Sequence, residues 1–170
     1  MKNRLVVAAV VVVAAVGVNF LYRTVGQGAG VKDGGMSTLV TVEEDDPDVE
    51  KAILTARKTV DDFIKRFEHP QSGDENFSVK KEFKDNGQSE HIWITEISYK
   101  NGVFSGQVGN EPQLVSNVRF GETVSVHRKE ISDWMWLTNG KMHGGYTVRA
   151  LLKNMPKADA DALRQQLQLE

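Results

Sequence analysis

The chain has 170 residues, no cysteine, four histidines and a formal net charge of −2. The lack of cysteine excludes disulfides, a thiol nucleophile and a cysteine-ligated metal site. Beyond Gly30 the chain carries 18 basic and 23 acidic residues, a net charge of −5. This balance gives no electrostatic footprint for nucleic acid, and the roughly 140 residues that remain suffice for one domain.

An uncharged apolar run, Leu5–Tyr22, follows Lys2 and Arg4. As a helix with ~1.5 Å of rise per residue, it would approach the thickness of a bilayer's hydrocarbon layer. We interpret residues 1–25 as a signal-anchor that crosses a bacterial inner membrane once and leaves the rest of the chain in the periplasm. The alternatives are a signal peptide cleaved near Gly17, which would give a secreted periplasmic protein, and a buried core helix.

Residues 26–45 are rich in glycine and polar residues, and they predict a flexible linker. Residues 46–170 would form the periplasmic domain. Asp46 and Pro47 are typical of a helix start, and His69-Pro70 of a helix end. Apolar residues recur between them at three- and four-residue spacing, which predicts an amphipathic helix from Pro47 to about Glu68. Its stripe consists of Val49, Ala52, Ile53, Ala56, Val60, Phe63, Ile64 and Phe67.

Short segments rich in β-branched and aromatic residues follow the helix, separated by turn residues. Asn101-Gly102 and Asn139-Gly140 are hairpin signals, because both positions of such a turn need a positive φ. Pro156 begins a short terminal helix, Lys157–Leu167. The fold class is therefore α+β, with the long helix packed on an antiparallel, twisted sheet. The predicted strands are Phe77–Phe83, His91–Tyr99, Val103–Val108, Leu114–Arg119, Thr123–Arg128, Asp133–Leu137 and Tyr146–Leu151.

The segment Ile131–Arg149 combines aromatic, polar and glycine residues more densely than any other. Aromatic residues and arginine commonly anchor protein interfaces, so this segment is the candidate partner-binding surface. A purely structural role is the alternative, with tryptophans in the core, Asp133 as a turn cap and the glycine pair as a bulge. The candidate residues are Trp134, Trp136, His143, Gly144, Gly145, Tyr146 and Arg149.

Signals for catalysis are weak. The sequence contains no nucleophile elbow and no phosphate-binding loop. His91, His127 and His143 lie on different predicted strands without the spacing of metal ligands, so we predict no metal and no cofactor. An envelope hydrolase that uses Asp133, His143 or His91 stays an alternative, as does a structural factor of envelope assembly.

Several short motifs between Phe77 and Leu152 resemble the bacterial YegJ-like family, a domain of unknown function. The most specific part is the pairing of Asp133-Trp134-Met135 with the segment Gly144–Arg149. The resemblance implies a small α+β domain and supplies no catalytic residues. The further matching motifs are His91-Ile92-Trp93, Gly106, Asn110 with Pro112, Gly121 and Ile131-Ser132.

Relatives of such small domains are suspected to be immunity proteins, and the resemblance extends that expectation to this chain. Together with the candidate surface, it predicts a membrane-anchored periplasmic binding module for a protein or peptide partner in the envelope. An immunity-like inhibitor is the particular form of this prediction. We expect Asp133 to be structural, and Arg149 or His143 to lie closer to the functional surface.

Overall fold

The computed structural model describes residues 6–12, 37–43 and 46–169. In these ranges three helices, α1 (Pro47–Glu68), α2 (Tyr146–Leu151) and α3 (Lys157–Gln166), accompany eight strands, and a 3-10 turn, Leu152–Asn154, follows α2. The strands are β1 (Val6–Val12), β2 (Ser37–Glu43), β3 (Asp74–Asp85), β4 (Gln88–Lys100), β5 (Val103–Val108), β6 (Thr123–His127), β7 (Ile131–Thr138) and β8 (Lys141–Gly144).

All eight described strands belong to one sheet, whose main order is β2-β1-β4-β3-β7-β8. β5 pairs with the C-terminal half of β4, and β6 pairs with β5. The pairs are antiparallel except for β1 and β4, which run parallel. The predicted α+β class is therefore correct.

Helix α1 has the bounds that the sequence predicts. The side chain of Asp46 accepts hydrogen bonds from the backbone N of Asp48 and of Val49, and Pro47 starts the helix. The helix ends at Glu68, and its C-cap His69 precedes Pro70 and therefore avoids the helical region. Its buried residues include Ala56 and Phe63, which are fully enclosed.

The core lies on both faces of the sheet. One cluster joins α1 to the face that carries Val79 and Trp134, while the other joins α2 and α3 to the face that carries Trp93 and Met135. These faces follow from the register, because Val79 pairs with Trp134 whereas Lys80 pairs with Trp93 and with Asp133. The segment from β7 to α2 consequently contributes to both layers.

Two predicted strands are wrong. Tyr146–Leu151 is helix α2, and the partner of β7 is β8, which follows directly after the turn at Asn139-Gly140. Leu114–Arg119 contains no strand, because side-chain carboxylates hold much of its backbone. Glu90 accepts from the backbone N of Leu114, Asp85 from that of Ser116 and Glu122 from that of Arg119. Alternation of residue types cannot reveal these bonds, and those to Glu90 and Asp85 come from distant parts of the chain.

The N-terminal segment differs from the predicted membrane helix where the structure describes it. Val6–Val12 is strand β1, which suits its β-branched composition. The rest of Leu5–Tyr22 lies outside the described residues, as does most of the proposed linker, in which β2 lies. Among the described residues, no helix is both long and apolar enough to cross a membrane.

Candidate functional site

Asp133 organises the start of helix α2. Its side chain is completely buried, and its Oδ2 accepts from the backbone N of Thr147 (2.8 Å) and from Thr147 Oγ1 (2.6 Å). Its Oδ1 accepts from the backbone N of Trp134 and of Tyr146. Helix α2 has no side-chain cap at Gly145, so a carboxylate from β7 satisfies its first N–H groups. Asp133 therefore caps the N-terminus of α2 from a different segment of the chain.

Lys80 completes this buried polar group. Its Nζ donates to Thr147 Oγ1 over 2.8 Å and lies 4.4 Å from the centre of the Trp93 ring. Burial lowers the pKa of Lys80 to about 8, although the charge of Asp133 opposes the shift. Burial also raises the pKa of Asp133, against the effects of Lys80 and Thr147. The charge of each group therefore limits the pKa shift that burial causes in the other.

The glycine pair and Arg149 have structural roles in the same unit. Gly144 has a φ of +70°, and a Cβ there would collide with the carbonyl oxygen and the ring of Trp134. The guanidinium of Arg149 donates back to the carbonyl oxygens of Gly144 and, over 3.3 Å, of Met142. Arg149 is half-buried and ties α2 to the end of β8. The most specific motif of the sequence thus builds the β7–β8–α2 corner.

Three nearly parallel rings, which we call the ring stack, lead from the core to the edge of the sheet. Trp134 and Trp136 are 5.3 Å apart between ring centroids at 12°, and Trp136 and His143 are 4.7 Å apart at 8°. Trp134 is buried and donates from Nε1 to the carbonyl oxygen of Ala56. Trp136 and His143 are half-buried, and His143 lies on the edge strand β8. Only the outer part of the ring stack can therefore meet a partner.

Further groups frame the outer part of the ring stack. Arg66, near the end of α1, lies 5.8 Å from the Trp136 ring centre and forms a two-pronged ion pair with Asp74. Tyr146 is half-buried, meets Trp134 edge-on and accepts a hydrogen bond from Thr59 at its hydroxyl. Burial, with Arg66 nearby, lowers the pKa of His143, so its ring is neutral near pH 7. The result is an aromatic edge beside a fixed guanidinium.

The predicted hydrolytic residues do not converge. Asp133 and His143 lie on opposite faces of the sheet, because His143 pairs with Trp136 and Trp136 alternates with Asp133 along β7. His91 and Trp93 share the face of the sheet on which Asp133 lies. Among the described residues, however, the hydrogen bonds to Asp133 come from Trp134, Tyr146 and Thr147, and none comes from His91. Burial lowers the pKa of His91 to about 4. Within the described ranges, no three histidine or acidic side chains could hold a metal ion.

The sequence interpretation did not identify Lys80, Arg66 or Phe77. Lys80 alternates with Val79 in a strand and would have been placed on a solvated face, whereas it is fully buried. Phe77 stacks against Trp136 at 15°, and Arg66 reaches the same ring from α1. The sequence carries no signal for this burial, because the neighbours of Lys80 are Val79 and Lys81. No local sequence pattern predicts the ion pair between Arg66 on α1 and Asp74 on β3.

The β7–β8–α2 corner and the sheet around it lie in residues 46–170, which match a protein family and which we call the family unit. Residues 46–170 match the model of a bacterial family described as "Uncharacterized protein conserved in bacteria (DUF2314)", and the chain belongs to this family. The match extends beyond the expected Phe77–Leu152 region, since it includes α1 and α3. It begins at the helix cap Asp46, so β1 and β2 lie outside it.

Two relatives support the assignment. The chain is 40% identical over 130 residues to "Uncharacterized protein YegJ" of Escherichia coli (strain K12), covering 76% of this chain and 84% of that protein. It is 33% identical over 133 residues to "Putative ankyrin repeat protein NMB1133/NMB1171" of Neisseria meningitidis serogroup B, covering 74% of this chain. The match spans only 53% of the Neisseria protein. The expected YegJ-like resemblance is confirmed, and no solved structure matches the chain.

Proposed function

We propose that this protein is a binding module whose partner-contact surface is the β8 edge, centred on His143 and Trp136. The observation that carries the proposal is the ring stack, which brings a neutral imidazole to the edge of the sheet on a rigid aromatic base. Rings lose little conformational freedom when they bind, and held rings lose less still. Arg66, fixed by Asp74, adds a charged group beside this edge.

The partner that suits this surface is a protein or peptide. A flat or proline-rich side chain, or an arginine, can pack against aromatic rings, and these are common anchors at protein interfaces. The ankyrin-repeat name of the Neisseria relative also suits a setting of protein recognition, because repeat proteins present extended binding surfaces. An immunity-like inhibitor, which binds and blocks a protein, is the particular role that we propose.

Photo-crosslinking in bacterial cells tests the surface. A photo-crosslinking phenylalanine analogue at position 143 retains an aromatic ring in the ring stack, while the same analogue at position 127 places it on the exposed His127 of β6. We expect a discrete crosslinked protein from position 143 that position 127 does not give. Trp136→Ala should remove that crosslink, because it removes the base of the ring stack. Equal crosslinking from both positions would reject the β8 edge as the partner surface.

The proposed location is the bacterial inner membrane, with residues 46–170 in the periplasm. The support comes from the sequence alone, as an uncharged run, Leu5–Tyr22, after Lys2 and Arg4. In this anchored form Val6–Val12 is part of the membrane helix and is not paired with β4. We expect the full-length protein to fractionate with the inner membrane and to be cut by protease only from the periplasmic side. Recovery of a soluble periplasmic form that starts near Val18 would instead establish cleavage.

A further inference from the structure

The outer edge of β4 between Gln88 and Trp93 lacks a strand from the family unit. β4 pairs with β3 from Gln88 to Ile94, and on its other side with β5 only from Ile94 to Lys100. The last backbone contact on that side joins the N of Gly109 to the carbonyl oxygen of Trp93. The chain then turns away, so residues 46–169 leave this stretch of edge unpaired.

Strand β1 occupies that edge. Val7, Ala8 and Ala9 pair with Ser89, Glu90 and His91 in parallel orientation. This contact is short, and parallel pairing is slightly less stable per residue than antiparallel pairing. β1 also lies before Asp46, where the family match begins. An edge that is closed by only three pairs from outside the family unit is open to exchange with another extended segment.

Unpaired polar atoms concentrate at this edge. Five buried side-chain atoms of the described residues have no hydrogen-bond partner, and four of them are on β4 or directly beside it. They are Glu90 Oε1, His91 Nδ1, Trp93 Nε1 and Asn110 Oδ1. Buried polar atoms are nearly always paired in native proteins. Glu90 lies on the opposite face of the sheet from His91 and Trp93, so the unpaired oxygen of Glu90 is the group that an added strand would meet on its face.

Glu90 specifies the chemistry of that molecule. Its side chain is fully buried, and its Oε2 accepts 2.8 Å hydrogen bonds from the backbone N of Gln113 and of Leu114. Its Oε1 accepts none, and Asn110 Oδ1 is likewise an unused acceptor on the adjacent loop. No cation among the described side chains forms an ion pair with Glu90. A buried carboxylate of this kind calls for a cationic donor.

We propose that the outer edge of β4, Gln88–Trp93, is a strand-addition site for an extended segment of a partner protein that carries a lysine or arginine beside Glu90. The segment pairs in the parallel register that β1 has in this structure, with its basic residue in the place of Ala8. Main-chain hydrogen bonds provide affinity, and the carboxylate of Glu90 provides the selection for a basic side chain. This site is separate from the surface around His143 and does not depend on it.

Two fluorescent peptides test the proposal on the full-length chain. Both repeat the Val6–Val12 sequence with a soluble Gly-Ser tail, one with Ala8→Lys and the other with Ala8→Glu. We expect the lysine peptide to bind at least about tenfold more tightly, because only it provides a donor for Glu90. Ala8→Pro in the protein itself should strengthen this binding about tenfold, since proline removes a ladder donor from β1 and vacates the edge.

Matched variants in the Ala8→Pro chain identify the group that selects the peptide. Glu90→Gln keeps the shape and the acceptor for the 113–114 backbone, and it should reduce the difference between the peptides to less than about threefold. Glu111→Gln, an exposed position on the neighbouring loop, should leave the difference unchanged. Hydrogen exchange with the lysine peptide should slow at Ser89–Trp93, a readout that needs no change at Glu90.

Four outcomes would overturn the proposal. Equal affinity of the two peptides would remove the role of Glu90, and so would a preference that survives Glu90→Gln. Peptide protection on β6 or β8 would place the added strand at another edge. Failure of both peptides to bind the Ala8→Pro chain would mean that this edge accepts no added strand.

Discussion

Asp133 on β7 and Thr147 on α2 are joined by two hydrogen bonds to one carboxylate oxygen, from the backbone N and from Oγ1 of Thr147. This contact links the sheet to the helix that covers one of its faces. Lys80 donates to the same hydroxyl, so the three side chains form one fully enclosed polar unit.

Asp133→Ala should destabilise the protein strongly. The change removes the cap of α2 and leaves Lys80 buried without its countercharge, and breaking such a buried pair costs about 3–5 kcal/mol. Asp62→Ala is the control, because that carboxylate is 74% exposed and its distance to Lys65 is 3.8 Å. It should change the free energy of unfolding by less than about 0.5 kcal/mol. Chemical denaturation measures both, and similar losses would mean that Asp133 is not a structural cap.

Phe63→Ala tests the packing of α1 on the sheet. Phe63 is fully buried and contacts five other rings, including Trp134 at 5.3 Å between centroids. Loss of this ring should cost about 3–5 kcal/mol, because the surrounding rings cannot fully close the cavity. Leu54→Ala on the same helix should have almost no effect, since Leu54 is 65% exposed. Thermal unfolding distinguishes the two, and an unchanged melting curve for Phe63→Ala would contradict this packing.

Gly144→Ala and Gly87→Ala together separate two reasons why a position requires glycine, namely a positive φ and a lack of space for a Cβ atom. At Gly87 the φ of +76° is strained for alanine but nothing lies within 4 Å of a Cβ, so Gly87→Ala should cost about 1–2 kcal/mol. At Gly144 the same strain is joined by a collision with Trp134, which should add about 1–3 kcal/mol. Denaturation of both variants gives the difference. Equal costs would show that β8 can shift away from Trp134 without loss.

His91 should make the protein less stable in mild acid. Burial, followed by the charge of Lys80, lowers the pKa of His91 to about 4 from an ordinary 6.5. Between these values the unfolded chain binds a proton that the folded chain does not, so the free energy of unfolding falls as the pH falls from 6.5 to 4. The charges of Glu82 and Lys84 on β3 and of Arg57 on α1 also influence the pKa of His91. His91→Gln removes the titrating imidazole itself and leaves those charges in place.

The measurement is the free energy of unfolding of each variant across this pH range. His91→Gln should reduce the slope against pH by up to one proton relative to the unchanged protein. His127→Gln serves as the matched control for the substitution itself, because His127 is exposed on β6. A slope that His91→Gln does not alter would mean that His91 binds its proton equally well in both states.

Local signals are reliable where the physical cause is local. Helix α1 follows from a cap, a proline and an apolar stripe within one segment, and the turn at Asn101-Gly102 follows from two residues that tolerate positive φ, here 52° and 81°. Strand β5 has the bounds that the sequence predicts. The motif of the β7–β8–α2 corner was visible in the sequence as well, but not its role as a helix-capping unit.

The sequence by itself determined the α+β class, the long helix, most of the strands and the family resemblance, because periodicity, caps and turn residues act between near neighbours. Only the tertiary structure decided that Tyr146–Leu151 is helical, since the cap of this helix comes from Asp133 on strand β7. Only the tertiary structure buried Lys80, assembled the ring stack and gathered unpaired atoms along β4. These features depend on strand register and on contacts between distant segments, which one-dimensional patterns do not encode.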